Sequence, residues 1–208
     1  MTTPSETPSA PFFDASLLEE QLLQEDALLR GHFRLSSGLH SDTYVQCARY
    51  LRRPKLAAPA AAALAAQIQA AGLRPDVVVG PAMGGVVIGY ELARQLGVPG
   101  IFTERDAEGQ MTLRRGFTVE PGEKIIIAED VVTTGKSTSE VARLLRGLGA
   151  EVLAVASLID RTGGKGELDF PHFALLPVQA ATFAPESCPL CAAGVPVVKP
   201  GSRPEKAF

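Results

Sequence analysis

The amino-acid sequence predicts an α/β fold with a doubly wound, mostly parallel sheet and a small N-terminal hood. Short apolar runs at residues 76–80, 124–129 and 152–159 have the composition of strands that are buried on both faces. The first two runs are each followed by a glycine-containing turn and then by a helical pattern that ends in glycine. Strands that alternate with helices at this spacing favour a parallel sheet.

The length of 208 residues, with 46% hydrophobic residues, suits one α/β domain. Residues 1–13 are rich in Thr, Ser and Pro and are expected to form a disordered tail. We expect residues 14–208 to form a single domain. Its hood covers about 14–71 and its core about 72–183, and an irregular C-terminal tail follows at about 184–208.

The predicted hood begins with a helix, capped by Asp14 or Ser16, that runs through Leu28 to a stop at Gly31. Two extended pieces follow at residues 33–36 and 43–47, with a tight turn between them. A second helix is expected at residues 60–71, with Pro59 in its first turn.

Charge and composition exclude several classes of function. The net charge of −3 argues against broad binding of nucleic acid or of anionic membranes. No apolar run approaches the ~18–20 residues that span a bilayer, and the N-terminus has no signal-peptide pattern. Three cysteines are too few for a disulfide framework, so a cytoplasmic location is expected.

Residues 125–138 carry the chemistry that the sequence predicts. An apolar strand delivers Glu129 and Asp130 to its carboxyl end, and a turn rich in hydroxyl groups leads from there into a helix. Backbone N–H groups at a helix N-terminus favour a phosphate, and Gly135 allows close approach. Two carboxylates beside a phosphate site suit a phosphorylated sugar, because ribose hydroxyls donate to carboxylates; a divalent metal would offset the charge.

Two other interpretations fit parts of this segment. Gly135-Lys136-Ser137 resembles part of a P-loop, but Asp130 stands where that motif requires glycine. A strand end with solvated acids and a capped helix would need no ligand. The ordered set of apolar strand, acid pair and Thr-Thr-Gly favours the phosphate site over both.

Residues 125–138 resemble the phosphoribosyl-pyrophosphate (PRPP) signature of type I phosphoribosyltransferases. Three further stretches are similar to the orotate phosphoribosyltransferase family: the hairpin segment from Phe33 to Tyr44, the glycine-rich loop from Gly80 to Gly85, and Asp160-Arg161. The resemblance covers roughly residues 15–165. It implies that orotate and PRPP give orotidine 5′-phosphate and pyrophosphate in pyrimidine (UMP) biosynthesis, with Mg²⁺ required.

The resemblance also implies roles for individual residues. The loop at 104–116 is polar and exposed, and it would close over the site, commonly from the partner subunit of a homodimer. No protein side chain is expected to ligate magnesium directly, because PRPP carries it near Glu129 and Asp130. The implied catalytic residues are Glu129, Asp130 and Arg105; PRPP would also contact Ala82, Met83, Gly84, Gly85, Val131, Val132, Thr133, Thr134, Gly135, Lys136, Ser137 and Thr138; orotate would contact Ser36, Ser37, Tyr44, Thr133 and Arg161; the mobile loop would contribute Arg114 and Arg115.

The sequence departs from the family pattern at several points. Ser36 stands where many members have a lysine, and Lys136 replaces a small residue in the phosphate loop. The loop at 104–116 has arginines but no lysine or histidine. His40 and Arg105 are candidates to supply the missing positive charge.

Packing or surface positions are expected for several other side chains. Cys188-Pro-Leu-Cys191 has the spacing of zinc ligands, but no second close pair accompanies it, so two packed thiols are favoured over a metal site. Met83 is expected to be a packing residue, and His32 a surface or capping residue.

Two alternatives remain open from the sequence. One keeps the fold and changes the base to a purine or uracil. Arg161 favours orotate over these bases, since a carboxylated base needs a cation. The other is a nucleotide-sensing regulator that binds RNA, against which the acidic balance argues.

Overall fold

The computed structural model describes residues 14–163 and 168–200. The predicted tail at 1–13, and residues 201–208 of the predicted C-terminal tail, lie outside these residues. In chain order the elements are α1 Ala15–Gln24, β1 Leu28–Arg34, β2 His40–Val45, α2 Ala48–Leu51, α3 Pro54–Ala70, β3 Val77–Pro81, α4 Gly84–Leu96, β4 Gly100–Arg105, β5 Met111–Leu113, β6 Lys124–Val132, α5 Lys136–Gly147, β7 Glu151–Asp160, β8 His172–Pro177, β9 Thr182–Phe183, a 3₁₀ turn Pro185–Ser187 and α6 Pro189–Ala192.

Six strands form the central sheet in the order β5-β4-β3-β6-β7-β8. The five strands from β4 to β8 in this order pair in parallel, and only the edge strand β5 is antiparallel. The predicted doubly wound, mostly parallel α/β fold is therefore confirmed. The three predicted core strands correspond to β3, β6 and β7, and β8 adds an edge strand that the sequence interpretation had not included.

Alternating side chains of the strands divide the core into two layers. Val78, Ile126 and Ala156 face α3 and α4, whereas Val79, Ile127 and Val155 face α5. All six are fully buried, as a sheet covered on both faces requires. Helix α1 packs into the first layer through Leu18 and Leu22.

The hood contains a second sheet, of three antiparallel strands in the order β1-β2-β9. Strands β1 and β2 form a hairpin, and the short β9 comes from the far end of the chain. The C-terminal segment then returns to β1, because the backbone of Val198 exchanges hydrogen bonds with His32 and Arg34. Within the described part of the chain, every helix is too short or too polar to span a bilayer.

The first predicted helix is too long. Helix α1 ends at Gln24, Asp26 adopts a φ of 50°, and Leu28 already belongs to β1. Leu28 is buried by its place in the hood sheet, opposite Val45, rather than on a helix face. Tertiary pairing therefore overrides the helical spacing of the leucines. His32 is consequently a buried strand residue and not a surface cap.

Two other boundaries also differ from the prediction. Helix α3 begins at Pro54, because a proline at the first position of a helix loses no hydrogen bond, and Pro59 lies inside the helix. The polar stretch at 104–116 is a β-hairpin rather than a long loop: Arg105 pairs with Met111, and Asp106 donates its backbone N–H to Gln110. Met111 is buried there and anchors the hairpin to the core.

Candidate active site

The candidate site lies where the order of the central sheet reverses. From β3 the chain moves to β4 on one side and then crosses to β6 on the other. Ligands of open α/β sheets bind at the carboxyl ends of strands at such a point. A cavity of about 240 Å³ opens there, between the loop after β3 and the end of β6.

Most of the predicted PRPP residues line this cavity. The lining residues are Pro81, Ala82, Gly84, Glu129, Asp130, Val131, Val132, Thr133, Thr134, Gly135, Lys136, Ser137 and Thr138. Gly85 instead lies buried beneath the loop, and Met83 projects outward with 85% of its surface exposed, so Met83 is not the packing residue that the sequence suggested. Pro81 is a lining residue that the sequence interpretation had not named.

The turn from Thr133 to Thr138 presents the N-terminus of α5 to the cavity. Gly135 precedes the helix with a φ of 78°, a left-handed conformation that favours glycine. The N-cap residue Gly135 has no side chain to cap the helix, and the N–H of Lys136 donates to the Thr134 hydroxyl at 3.3 Å. The remaining N–H groups and the helix dipole favour an anion at this end of the cavity.

The acid pair is buried beside this turn. Glu129 is 7% exposed, and burial raises its pKa to about 8, with a smaller contribution from the neighbouring charge of Asp130. A hydrogen bond from Thr138 opposes that rise. Burial also raises the pKa of Asp130, whose carboxylate accepts a hydrogen bond from the Val131 N–H at 2.8 Å. Hydrogen-bond donors or a cation at this position would therefore stabilise the ionised form of both carboxyl groups.

The loop after β3 packs tightly against β6. A Cβ atom on Gly84 would collide with the Asp130 carboxylate, and one on Gly85 would collide with the backbone oxygen of Ala128. The peptide bond between Ala82 and Met83 is cis. Only glycine allows this approach, which places the backbone of the loop against the acid pair.

Arg161 follows β7 and is half-buried near the same sheet edge. Its backbone N–H donates to Val132, and its Nε is buried without a hydrogen-bond partner among the described residues. Burial lowers the pKa of Arg161, although the charge of Asp42 in β2 opposes this. The guanidinium therefore has an unused donor, which an anionic ligand would satisfy.

The hood contacts the site at two points. The Cys47 thiol, just before α2, donates to the backbone oxygen of Asp130 at 3.6 Å, and Asp42 lies within electrostatic range of Arg161. No sequence pattern indicates this contact of Cys47, because its partner is a backbone atom.

Tyr44 packs against Phe33 in the hairpin of β1 and β2. Ser36 and Ser37 lie exposed in the turn between β1 and β2.

The arginines of the hairpin at 104–116 do not line the cavity. Arg105 forms an ion pair of 2.6 Å with Glu140 of α5, and Arg115 forms one of 2.8 Å with Glu104. Arg114 is exposed in the same hairpin. Glu140, which also lies 4.0 Å from the Lys136 ammonium group, thus holds the hairpin beside the phosphate turn.

His40 is not a cation for this site. It is 7% exposed, and its Nδ1 lies 2.8 Å from Nε2 of His32. The strand pairing of the hood directs the His40 ring away from the acid pair and into a separate cluster, a placement that spacing along the sequence does not reveal.

Comparison with known proteins identifies the family. The Phosphoribosyl transferase domain family matches residues 48–188. Orotate phosphoribosyltransferase of Carboxydothermus hydrogenoformans is 54% identical over 186 residues, which are 89% of this chain and 97% of that protein. The crystal structure of orotate phosphoribosyltransferase from Aeropyrum pernix matches with a TM-score of 0.66 and 28% identity, over 77% of this chain and 93% of that one.

The fold alone is shared more widely. Adenine phosphoribosyltransferase from Saccharomyces cerevisiae matches with a TM-score of 0.64 and 24% identity, over 78% of this chain and 100% of that one. The 54% identity with the Carboxydothermus protein, over 89% of this chain and 97% of that one, distinguishes the orotate group from the adenine group. The chain therefore belongs to the phosphoribosyltransferase family, within its orotate phosphoribosyltransferase group.

Proposed function

We propose that this chain transfers the 5-phosphoribosyl group of PRPP to orotate, giving orotidine 5′-phosphate and pyrophosphate in UMP biosynthesis in the cytoplasm. The observation that carries the choice of base is the buried Arg161 Nε, which has no partner among the described residues. The carboxylate of orotate would form a charge-assisted hydrogen bond with this guanidinium, whereas a neutral purine or uracil would offer it only uncharged acceptors.

The shape of the cavity supports the placement of PRPP. The 5′-phosphate would bind the N–H groups at the start of α5, and the ribose hydroxyls would donate to Glu129 and Asp130. Pyrophosphate would then lie against the backbone of the loop after β3, where Gly84 keeps Asp130 accessible. In this orientation the C1 carbon of the sugar faces the hood and Arg161.

The chemistry requires positioning rather than a protein nucleophile. Breaking the bond between C1 and pyrophosphate builds positive charge on the sugar and negative charge on the leaving group. The buried carboxylates would stabilise the first, and backbone donors the second. Orotate itself supplies the attacking nitrogen, so the protein has to hold it near C1 and exclude water.

The donor set suits a magnesium ion carried by PRPP. Carboxylate oxygens of Glu129 and Asp130 lie beside the phosphate turn, and hard oxygen ligands are those that Mg²⁺ prefers. When bound, the ion would offset the negative charge of the pyrophosphate. It would thereby reduce the repulsion between that group and the acid pair.

A homodimer is proposed from the surface beside the site. Met83, Val87 and Tyr90 form an apolar stripe along the first turns of α4, with 85%, 48% and 69% of their surfaces exposed. Their spacing puts them on one side of the helix. A second copy of the chain would cover this stripe and bring its hairpin at 104–116, with Arg105, Arg114 and Arg115, toward the neighbouring cavity.

The test is an assay with five bases. The purified protein is mixed with PRPP, Mg²⁺ and orotate, and the loss of orotate absorbance is followed; adenine, guanine, hypoxanthine and uracil are assayed in parallel. Turnover with orotate alone is expected. A Glu129→Gln/Asp130→Asn variant, purified identically, has to lose this turnover, which excludes a contaminating host enzyme. Turnover with another base would reject the role of Arg161, and tight binding of RNA without turnover would favour a regulator.

A further inference from the structure

Four potential metal ligands converge in the hood, outside the candidate active site. His32 of β1, His40 of β2, Cys188 and Cys191 place one ligand atom each within 4.8 Å of all the others. They are not among the described residues that line the cavity at β3 and β6. The two histidines and Cys188 are buried, and Cys191 is exposed, which leaves a route of entry for an ion.

Hydrogen bonding alone does not account for this convergence. Nδ1 of His32 lies 2.8 Å from the backbone oxygen of Val195, and because a carbonyl can only accept, this nitrogen carries the proton. Nε2 of His32 then has a single lone pair. Three groups nevertheless surround it: Nδ1 of His40 at 2.8 Å, Sγ of Cys188 at 3.5 Å and Sγ of Cys191 at 3.8 Å.

The distances suit a tetrahedral metal ion. Zinc bonds of ~2.0–2.1 Å to nitrogen and ~2.3 Å to sulfur imply separations of roughly 3.3–3.8 Å between ligand atoms. Three separations between sulfur and imidazole nitrogen lie in this range: Cys188 Sγ to His32 Nε2 at 3.5 Å, Cys191 Sγ to His32 Nε2 at 3.8 Å and Cys191 Sγ to His40 Nδ1 at 3.3 Å. The distance of 2.8 Å between the two imidazole nitrogens is shorter than this range, and a small rotation of either ring would lengthen it.

We propose that His32, His40, Cys188 and Cys191 bind one structural zinc ion. Two thiolates and two imidazoles form a complete tetrahedral set, so no position remains for water or substrate, as in structural zinc sites. The hydrogen bond from His32 to Val195 orients the ring and leaves Nε2 for the metal. Cys188-Pro-Leu-Cys191 has the usual spacing of one half-site, and the β1–β2 hairpin from the other end of the chain supplies the second half, which its sequence did not suggest.

The ion would join the two ends of the hood. Strand β9 and Val198 already pair with β2 and β1, and the metal adds a covalent link between the hairpin and the C-terminal segment. His32 and His40 flank the turn that carries Ser36 and Ser37, so the ion fixes the base of that turn. This inference is independent of the proposed reaction.

The first test measures the metal content of the untagged full chain, purified without chelators. About one zinc per chain is expected. Cys188→Ser and His32→Gln variants should lose it, whereas Cys47→Ser, the same exchange at a buried cysteine outside the cluster, should retain it. Removal of zinc should lower the melting temperature of the wild-type chain and leave that of the Cys188→Ser variant unchanged.

A second test does not depend on the folding of variants. Cobalt is titrated into the zinc-free wild-type chain, and the expected result is the intense visible absorption of a tetrahedral ion together with a thiolate-to-cobalt band in the near ultraviolet. A wild-type chain that is purified without metal and gives neither spectral feature would overturn the proposal. Zinc or the thiolate band retained in a Cys188→Ser/Cys191→Ser double variant would also overturn it, because the ion would then lie elsewhere.

Discussion

Glu129 couples folding to the binding of a proton. Its pKa is raised from 4.5 to about 8, chiefly by burial, so the folded chain binds a proton that the unfolded chain has released between these values. Stability falls with rising pH wherever the native state binds more protons. The free energy of unfolding should therefore decrease from about pH 5 to about pH 8, with an added contribution of the same sign from Asp130, whose pKa is also raised.

The Glu129→Gln variant tests this linkage. Glutamine keeps the shape but cannot ionise, so urea unfolding at several pH values should show a smaller decrease in stability than the wild-type chain shows. Glu151→Gln, an exposed exchange at the start of β7, should keep the wild-type slope. Equal slopes for Glu129→Gln and the wild-type chain would show that Glu129 is ionised in the native state throughout this range.

Arg161 should determine the affinity for the base. Loss of a partly buried, charged hydrogen bond costs about 1.5–3 kcal/mol, which is roughly a 10- to 100-fold change. We expect Arg161→Ala to raise the KM for orotate by this factor and to change the KM for PRPP much less. Arg74→Ala, at an exposed arginine in the loop between α3 and β3, is the control in steady-state assays. Similar increases in both KM values would contradict the assignment.

For single residues, the sequence predicted which segment lines the cavity but not the partners of individual side chains. Residues 129–138 are consecutive, so one local pattern places them all in the cavity. The ion pair of Arg105 with Glu140 and the contact of His40 with His32 depend on how distant elements meet. No local spacing encodes such contacts.

Between elements, two glycines of α4 offer a matched comparison. A Cβ atom at Gly85 would collide with the backbone of β6, whereas one at Gly89 would meet Gly80 and Ala128 at 3.5 Å or more, an ordinary contact. We expect Gly85→Ala to push α4 away from the sheet and to destabilise the chain by about 1–3 kcal/mol. Gly89→Ala should be neutral or stabilising by up to about 1 kcal/mol, since alanine favours helix.

Thermal unfolding and PRPP affinity check this comparison together. Because α4 begins at the loop that lines the cavity, Gly85→Ala should weaken PRPP binding as well as stability, and Gly89→Ala should affect neither strongly. Equal losses of stability in the two variants would contradict a collision at Gly85.

The strands that the sequence predicted correctly are those that are buried on both faces. Strands β3, β6 and β7 are apolar runs between clear turns, so their composition is sufficient to identify them. Residues 24–34 alternate less clearly, and Leu28 fits a helix face and a strand face equally well until β2 pairs with it. Strand β5 was missed because its anchor, Met111, is a single apolar residue in a polar stretch.

For the whole molecule, the apolar stripe on α4 makes a prediction about assembly. A sedimentation mass about twice the 21.9 kDa of one chain is expected at micromolar concentration. Val87→Glu should shift the protein toward the monomer, because it buries a charge in the proposed interface. Leu148→Glu, at an exposed apolar residue after α5, should leave the mass unchanged. A wild-type chain that sediments as a monomer would contradict the dimer.

The sequence predicted the architecture of the core sheet better than that of the hood. The strands and helices of the core follow one another along the chain, and local patterns therefore determine most of their order. The hood sheet joins β2 near the N-terminus to β9 near the C-terminus, so its third strand is set by a long-range contact.

The pairing of β2 with β9 also determines the order in which the protein can mature on the ribosome. Strands β1 and β2 emerge early, but β9, Cys188 and Val198 are among the last described residues to be translated. Until they emerge, β2 presents an unpaired edge, which invites pairing with other nascent chains. The central sheet can assemble before residues 182–198 are translated, whereas the hood sheet cannot, so a chain truncated after β8 would keep the sheet that carries the cavity but expose an open, aggregation-prone edge at β2.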